Sequence, residues 1–167
     1  MYVFGGEFAA PNGSQFKHYN DLWVLNLTEK SWRQLDGPHP PARSGHRMGV
    51  LRKSIVLFGG FQDDGKRAPK YFNTVHVYDT ELYKSVPEDG CPHLLATSPR
   101  ICLTSCSLRW TKIEFPAIMP GPAPRSACQL AALQDGALVF GGYSRERVKG
   151  ERFCGKVGAC LLAKGVA

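Results

Sequence analysis

Four residues in the middle of the chain carry ligand chemistry: Cys91, His93, Cys102 and Cys106. A tetrahedral zinc site takes thiolate and imidazole groups in close pairs, each pair held by a short turn of chain. The order here is Cys-x-His, eight residues, then Cys-x-x-x-Cys. That departs from the paired spacing, so the expectation is a loop of reduced thiols with no bound metal. Glycine pairs occur at Gly5-Gly6, Gly59-Gly60 and Gly141-Gly142. Each ends an apolar run but lacks the lysine and helix that make a phosphate loop. His18, His39 and His76 are scattered, and each reads as a surface or packing residue. No nucleophile–base pair follows from spacing. The sequence therefore assigns no catalytic residue, no cofactor and no small-molecule substrate.

The net charge of +7 invites a nucleic-acid reading. Its distribution argues against one. Residues 144–167 hold six basic and two acidic residues, and residues 83–109 hold three and two. Only +2 is left for the rest, so the excess reads as a solvated tail. The first residues, Met1-Tyr2-Val3-Phe4-Gly5-Gly6, lack the basic start and apolar run of a signal peptide. No apolar stretch approaches the roughly 18 residues that span a membrane. The expected location is the cytoplasm or nucleus.

The elements that would position any site come from internal repetition. Tyr2-Val3-Phe4-Gly5-Gly6 returns as Val56-Leu57-Phe58-Gly59-Gly60 and again as Leu138-Val139-Phe140-Gly141-Gly142. Phe8, Phe61 and Tyr143 follow the three doublets. Tyr19 to Leu27 aligns with Phe72 to Thr80, Trp32 to Leu35 with Trp110 to Ile113, and Pro41 to His46 with Pro122 to Cys128. Leu22 to Leu27 alternates in the manner of a strand, and Ser54 to Phe58 is the short apolar run of a strand buried on both faces. The proline clusters at 38–41 and 116–124 mark loops. One period therefore holds four short strands.

These blocks, in this order, resemble the kelch repeat, whose unit of about 50 residues forms one four-stranded propeller blade. The resemblance covers residues 2–143 and rests on the arginine-serine step, the strand ending in double glycine, the aromatic-rich third strand and the spaced tryptophan. It implies an all-β chain, a partial, open propeller of about two to three blades at 2–35, 43–114 and 125–143. It implies structural roles for Gly5, Gly6, Trp32, Gly59, Gly60, Trp110, Gly141 and Gly142. The tryptophans are expected to cover the faces between blades. Arg43 and Arg125 are expected to bond loop carbonyls of an adjacent blade.

The pattern breaks in two places. Residues 83–108 lack blade pattern and read as an insertion between the third and fourth strands, where a loop costs little closure entropy. Residues 144–167 read as a basic tail, expected to be disordered. Both stretches read as altered or retained exon sequence, the mark of a truncated isoform. Unpaired strand edges predict poor solubility for these 167 residues alone.

Resemblance to the kelch family implies a non-catalytic scaffold that binds another protein through loops gathered at the two ends of the propeller axis. The candidate loops are 7–18, 36–42, 61–71 and 115–124. The candidate contacts are Arg43, Arg47, Arg67, Tyr143 and Arg145, of types favoured at interfaces. Two other roles were weighed. An adaptor for a ubiquitin ligase needs a docking segment, and none is recognised. A kelch-type copper oxidase needs tyrosine and histidine ligands at the axis, yet His46 matches Cys128 in the next repeat.

Overall fold

The computed structural model describes residues 1–12, 16–81, 110–118, 121–134, 136–144 and 160–162; of the last three, only the backbone pairing is described. All regular elements among them are β-strands. The strands lie in separate antiparallel sheets with open edges, as an incomplete set of propeller blades would be.

The first sheet runs β1 (Tyr2–Ala9), β2 (Phe16–Asn26), β3 (Ser31–Leu35). The second has four strands in the order β4 (Arg47–Leu51), β5 (Ser54–Phe58), β8 (Val75–Asp79), β9 (Trp110–Ile113). Between β5 and β8 a two-stranded hairpin, β6 (Phe61–Gln62) and β7 (Lys70–Tyr71), projects beyond the sheet. In the first sheet the same extension is continuous, because β1 and β2 stay paired past a bulge between Phe4 and Gly6. The third sheet pairs β10 (Gln129–Leu133), β11 (Gly136–Phe140) and β12 (Cys160–Leu162).

The strand β12 departs from the disordered tail expected over 144–167. Its backbone bonds to β11, with Leu138 opposite Leu161. The physical reason is the edge itself: β11 presents a row of backbone donors and acceptors, and a short apolar run satisfies them. The insertion at 83–108 and the residues Cys91, His93, Cys102 and Cys106 lie outside the described residues.

Alternation along β5 builds two cores at once. Ile55 and Leu57 point to one face and join Phe4, Leu22, Leu35, Tyr78 and Trp110. Val56 and Phe58 point to the other and join Val75, Cys128, Ala137 and Val139. Each core fills the space between two successive sheets, so β5 is buried on both sides, as its unbroken apolar run requires.

The tryptophan expectation holds for one residue and fails for the other. Trp110 is 9% exposed and packs against the Phe4 ring with centroids 5.5 Å apart. Trp32 is 50% exposed. Both sit at the start of their strand, but no sheet among the described residues lies against the Trp32 side. Area removed from water, not residue type, decides which ring is core.

The glycine doublets act as a seam. Gly5, Gly59 and Gly141 have φ of 57°, 72° and 66°, the left-handed region. A Cβ on Gly59 would lie 2.5 Å from the Arg125 carbonyl oxygen of the next sheet. The second glycine faces inward instead: a Cβ on Gly60 would lie 2.7 Å from the Ser44 oxygen of its own sheet. Hydrogen bonds close the seam, with the Gly6 N–H donating to Arg43 O at 2.9 Å and the Gly60 N–H to Arg125 O at 2.8 Å. A Cβ on Gly141 would meet nothing within 4 Å. Gly59→Ala is therefore expected to cost about 3 kcal/mol, left-handed strain plus a backbone collision, and Gly141→Ala about 1 kcal/mol, the strain alone. Denaturant midpoints of the two variants check this; equal losses would remove the seam argument.

Candidate partner-binding face

The strand registers decide which loops meet. Phe4 pairs with Leu22 and Leu22 with Leu35, so the loop after β1 and the linker after β3 leave from one end of the first sheet. Phe58 pairs with Val75 and Val75 with Ile113, giving the second sheet the same arrangement. The loops 7–18, 36–42, 61–71 and 115–124 thus emerge at a common end, in so far as they are described. Tyr78 pairs with Trp110 at the opposite end, where the chain departs into the insertion.

Across that common end runs a ladder of rings drawn from the first sheet, the β6–β7 hairpin and the segment after β11. Phe16 and His18 on β2 meet edge to face at 4.9 Å. His18 meets Phe61 at 5.2 Å, Phe61 stacks on Tyr71 at 5.7 Å, and Tyr71 meets Tyr143 at 6.1 Å. These spacings and the tilted pairings suit aromatic quadrupoles. Backbone bridges hold the rungs: Ser44 pairs with Phe61, and Ser126 with Tyr143. The ends of the ladder remain open to solvent, with Phe16 at 40% and Tyr143 at 50% exposure.

Charged groups frame the ladder in an orderly way. The acidic side chains accept hydrogen bonds from nearby protein donors. Glu7 accepts a hydrogen bond from the Ser44 hydroxyl at 2.6 Å. Asp63 accepts from the Gly65 N–H, and Asp64 from the Lys66 and Arg67 N–H groups. These last bonds hold the Asp64 carboxyl below its ordinary range. Lys17 lies over the Tyr19 ring at 4.8 Å, and Lys70 over the Phe72 ring at 5.4 Å. Such cation–π contacts keep the amines close to the ring faces.

Of the five contact residues expected from sequence, the structure keeps two on this surface. Tyr143 ends the ladder, and Arg67 lies in the loop of the β6–β7 hairpin. Arg47 starts β4 and is half-buried, its Nη1 donating to His46 O at 3.2 Å. Arg145 lies outside the described residues. Arg43 has no exposed surface. Its Nε donates to Pro41 O, and its Nη1 to Gly59 O and Thr74 Oγ1, at 3.0–3.1 Å. The guanidinium also sits 3.9 Å from the Phe72 ring centroid. Burial pulls its pKa down to about 10, which leaves it charged at neutral pH. Arg125 repeats the design with bonds to Ala123 O and Gly141 O. Both arginines therefore bond carbonyls of their own blade, not of the adjacent one. The reason is the seam: the neighbouring blade's glycine takes the arginine's carbonyl, and the side chain turns inward to its own loop.

The histidines are packing groups. His46 meets Phe4 edge to face at 5.5 Å, and His76 lies 6.5 Å from Trp110. Burial, then the Arg43 charge, lowers both to about 4. Among the described residues no three His, Cys, Asp or Glu groups converge as a metal set.

Sequence reasoning missed His18, Phe16 and Tyr71 as members of one surface. The available signal was the aromatic residue after each doublet, at Phe8, Phe61 and Tyr143; of these, Phe61 and Tyr143 fall on the ladder.

Comparison with known proteins places this geometry. The family model described as "KLHDC2/KLHL20/DRC7 Kelch-repeats domain" matches residues 1–157. The chain is 34% identical over 90 residues to Host cell factor of Drosophila melanogaster, covering 48% of this chain and 6% of that protein. It is 22% identical over 150 residues to Kelch domain-containing protein 1 of Mus musculus, covering 88% of this chain and 30% of that one. It is 23% identical over 151 residues to Tip elongation aberrant protein 3 of Schizosaccharomyces pombe, covering 86% and 13%. The chain thus spans less than a third of the length of these relatives.

Proposed function

Since the chain belongs to the kelch-repeat family, we propose that it is a non-catalytic module that binds another protein through the ring ladder. The observation that carries this reading is the continuity of Phe16, His18, Phe61, Tyr71 and Tyr143 across three blades, with half-exposed rings at both ends. Rigid aromatic surface loses little conformational entropy on contact and supplies the anchors that dominate interfaces. With Glu7, Asp63 and Asp64 each already bonded to a protein donor and Lys17, Arg67 and Lys70 alongside, the surface suits an extended segment bearing aromatic or aliphatic anchors and acidic flanks. The location we propose is the cytoplasm or nucleus. The wording at Gly6 to Gly13 and Gly141 to Lys149 resembles kelch domain-containing protein 4, and we propose that likeness as the finer assignment within the family. We read 83–108 and 144–167 as altered or retained exon sequence.

The test compares proteins captured by the whole chain with those captured by the double variant Phe16→Ser/Tyr143→Ser and by Leu27→Ser. Leu27 is 70% exposed and lies in the turn after β2, at the other end of the sheet. A partner lost at least tenfold in the double variant and kept in Leu27→Ser supports the reading. A partner indifferent to both variants refutes it.

A further inference from the structure

His18 occupies a position that no repeat signature explains. It sits on β2 of the first blade, 8% exposed, between the Phe16 and Phe61 rings. Its Nε2 accepts a hydrogen bond from the Asp63 N–H at 2.9 Å. Asp63 follows β6, so this bond joins the first blade to the projecting hairpin of the second. An acceptor role for Nε2 fixes the tautomer with the proton on Nδ1. That Nδ1 is buried and has no partner among the described residues.

We propose that His18 is a proton-controlled latch that holds the β6–β7 hairpin against the first blade when neutral and releases it when protonated. The argument is geometric. Protonation converts Nε2 from acceptor to donor, so two N–H groups would face each other across 2.9 Å. It would also place a cation in a site nine-tenths closed to water. The charged groups facing the ring are Glu7, directly across from His18 on β1, and Asp63 on the hairpin side. Both favour the protonated ring, but burial outweighs them and the net displacement is downward from the ordinary histidine value. Glu7 is already committed to the Ser44 hydroxyl and Asp63 to the Gly65 N–H. Neither is free to swing over and stabilise the imidazolium where it stands.

The consequence is control over the middle rung of the ladder. The sequence Phe16, His18, Phe61, Tyr71 is continuous only while the hairpin is docked. This consequence rests on the binding reading given above, whereas the latch itself does not.

The test follows amide hydrogen exchange of Asp63 and its hairpin neighbours in the whole chain from pH 7 to pH 5, corrected for intrinsic exchange. Asp63 protection is expected to fall roughly five- to tenfold, the loss of one net hydrogen bond with added repulsion. His18→Gln keeps an acceptor that does not titrate, so its Asp63 protection should stay flat over the same range. His18→Phe keeps the ring packing without an acceptor, so its protection should be low at both pH values. Parallel pH profiles in the wild type and His18→Gln overturn the latch. Since these readouts need no partner, loss of the latch and loss of the binding reading are seen in different experiments.

Discussion

Replacing Arg43 with alanine lowers the stability of the chain by about 3–4 kcal/mol, while Arg125→Ala costs about 1–2 kcal/mol. The two side chains make matching bonds, Nε to a carbonyl two residues back and Nη1 to the carbonyl sixteen residues on. What separates them is burial. Arg43 is wholly enclosed, adds a bond to Thr74, and lies against Phe72. Its removal leaves Gly59 O and Thr74 Oγ1 without their donor and opens a void the size of a guanidinium. Arg125 is partly exposed, so water takes up the released carbonyls. Arg43→Lys should recover less than half of the loss, because an ammonium cannot reproduce the planar fork or lie flat on the ring. Urea midpoints measure all three. If Arg43→Ala and Arg125→Ala lose equally, burial is not what gives Arg43 its weight. The same reasoning changes how binding data on Arg43→Ala are read: a partner lost in that variant reports a loosened blade and not a missing contact.

Acidification destabilises the chain between pH 6.5 and about 4, by roughly 3–4 kcal/mol in total. His46 and His76 are lowered to about 4 by burial first and by the Arg43 charge second. Arg47 adds to the effect on His46 and Lys112 to that on His76, while Glu114 opposes it for His76. In the unfolded chain both rings titrate near 6.5. Between the two values the unfolded state binds more protons than the folded one, so stability rises with pH through this window. The contribution is complete above 6.5 and is lost as the pH falls to the folded value. At about 1.4 kcal/mol per pKa unit, each ring contributes at most about 3.5 kcal/mol. The half-buried His46 falls well short of that, because water reaches it. Thermal midpoints of wild type and His76→Phe, measured from pH 7 to pH 4, should diverge, with the variant flatter. A wild-type midpoint that does not move over that range would show that neither ring is held neutral.

The blade organisation was legible because it is written locally. Each doublet stops an apolar strand, and each arginine-serine step begins the next one, so short blocks in fixed order suffice. The double burial of β5 was legible too, since five consecutive apolar or small residues have no solvated face. Trp32 was misread because exposure depends on a neighbour, and a repeat motif carries no information about whether one is present. Arg43 was read both as a partner contact and as a structural group; it has no exposed surface and bonds its own blade, because sequence shows that a donor meets carbonyls but not on which side of a seam. The ring ladder was illegible because its members are 43 and 72 residues apart where they cross between blades, at His18 to Phe61 and at Tyr71 to Tyr143. No short window spans either crossing.

Where the second sheet opens toward residues 80–109, its outermost strand is still brought home by the Tyr78–Trp110 pairing and by Trp110 lodging in the core with Phe4. The glycine–arginine seam lies at the far end of the same strands. The connection from Tyr78 to Trp110 is therefore a permissive port: its length and composition are uncoupled from blade-to-blade registration. A reporter peptide grafted there should leave the ring ladder undisturbed.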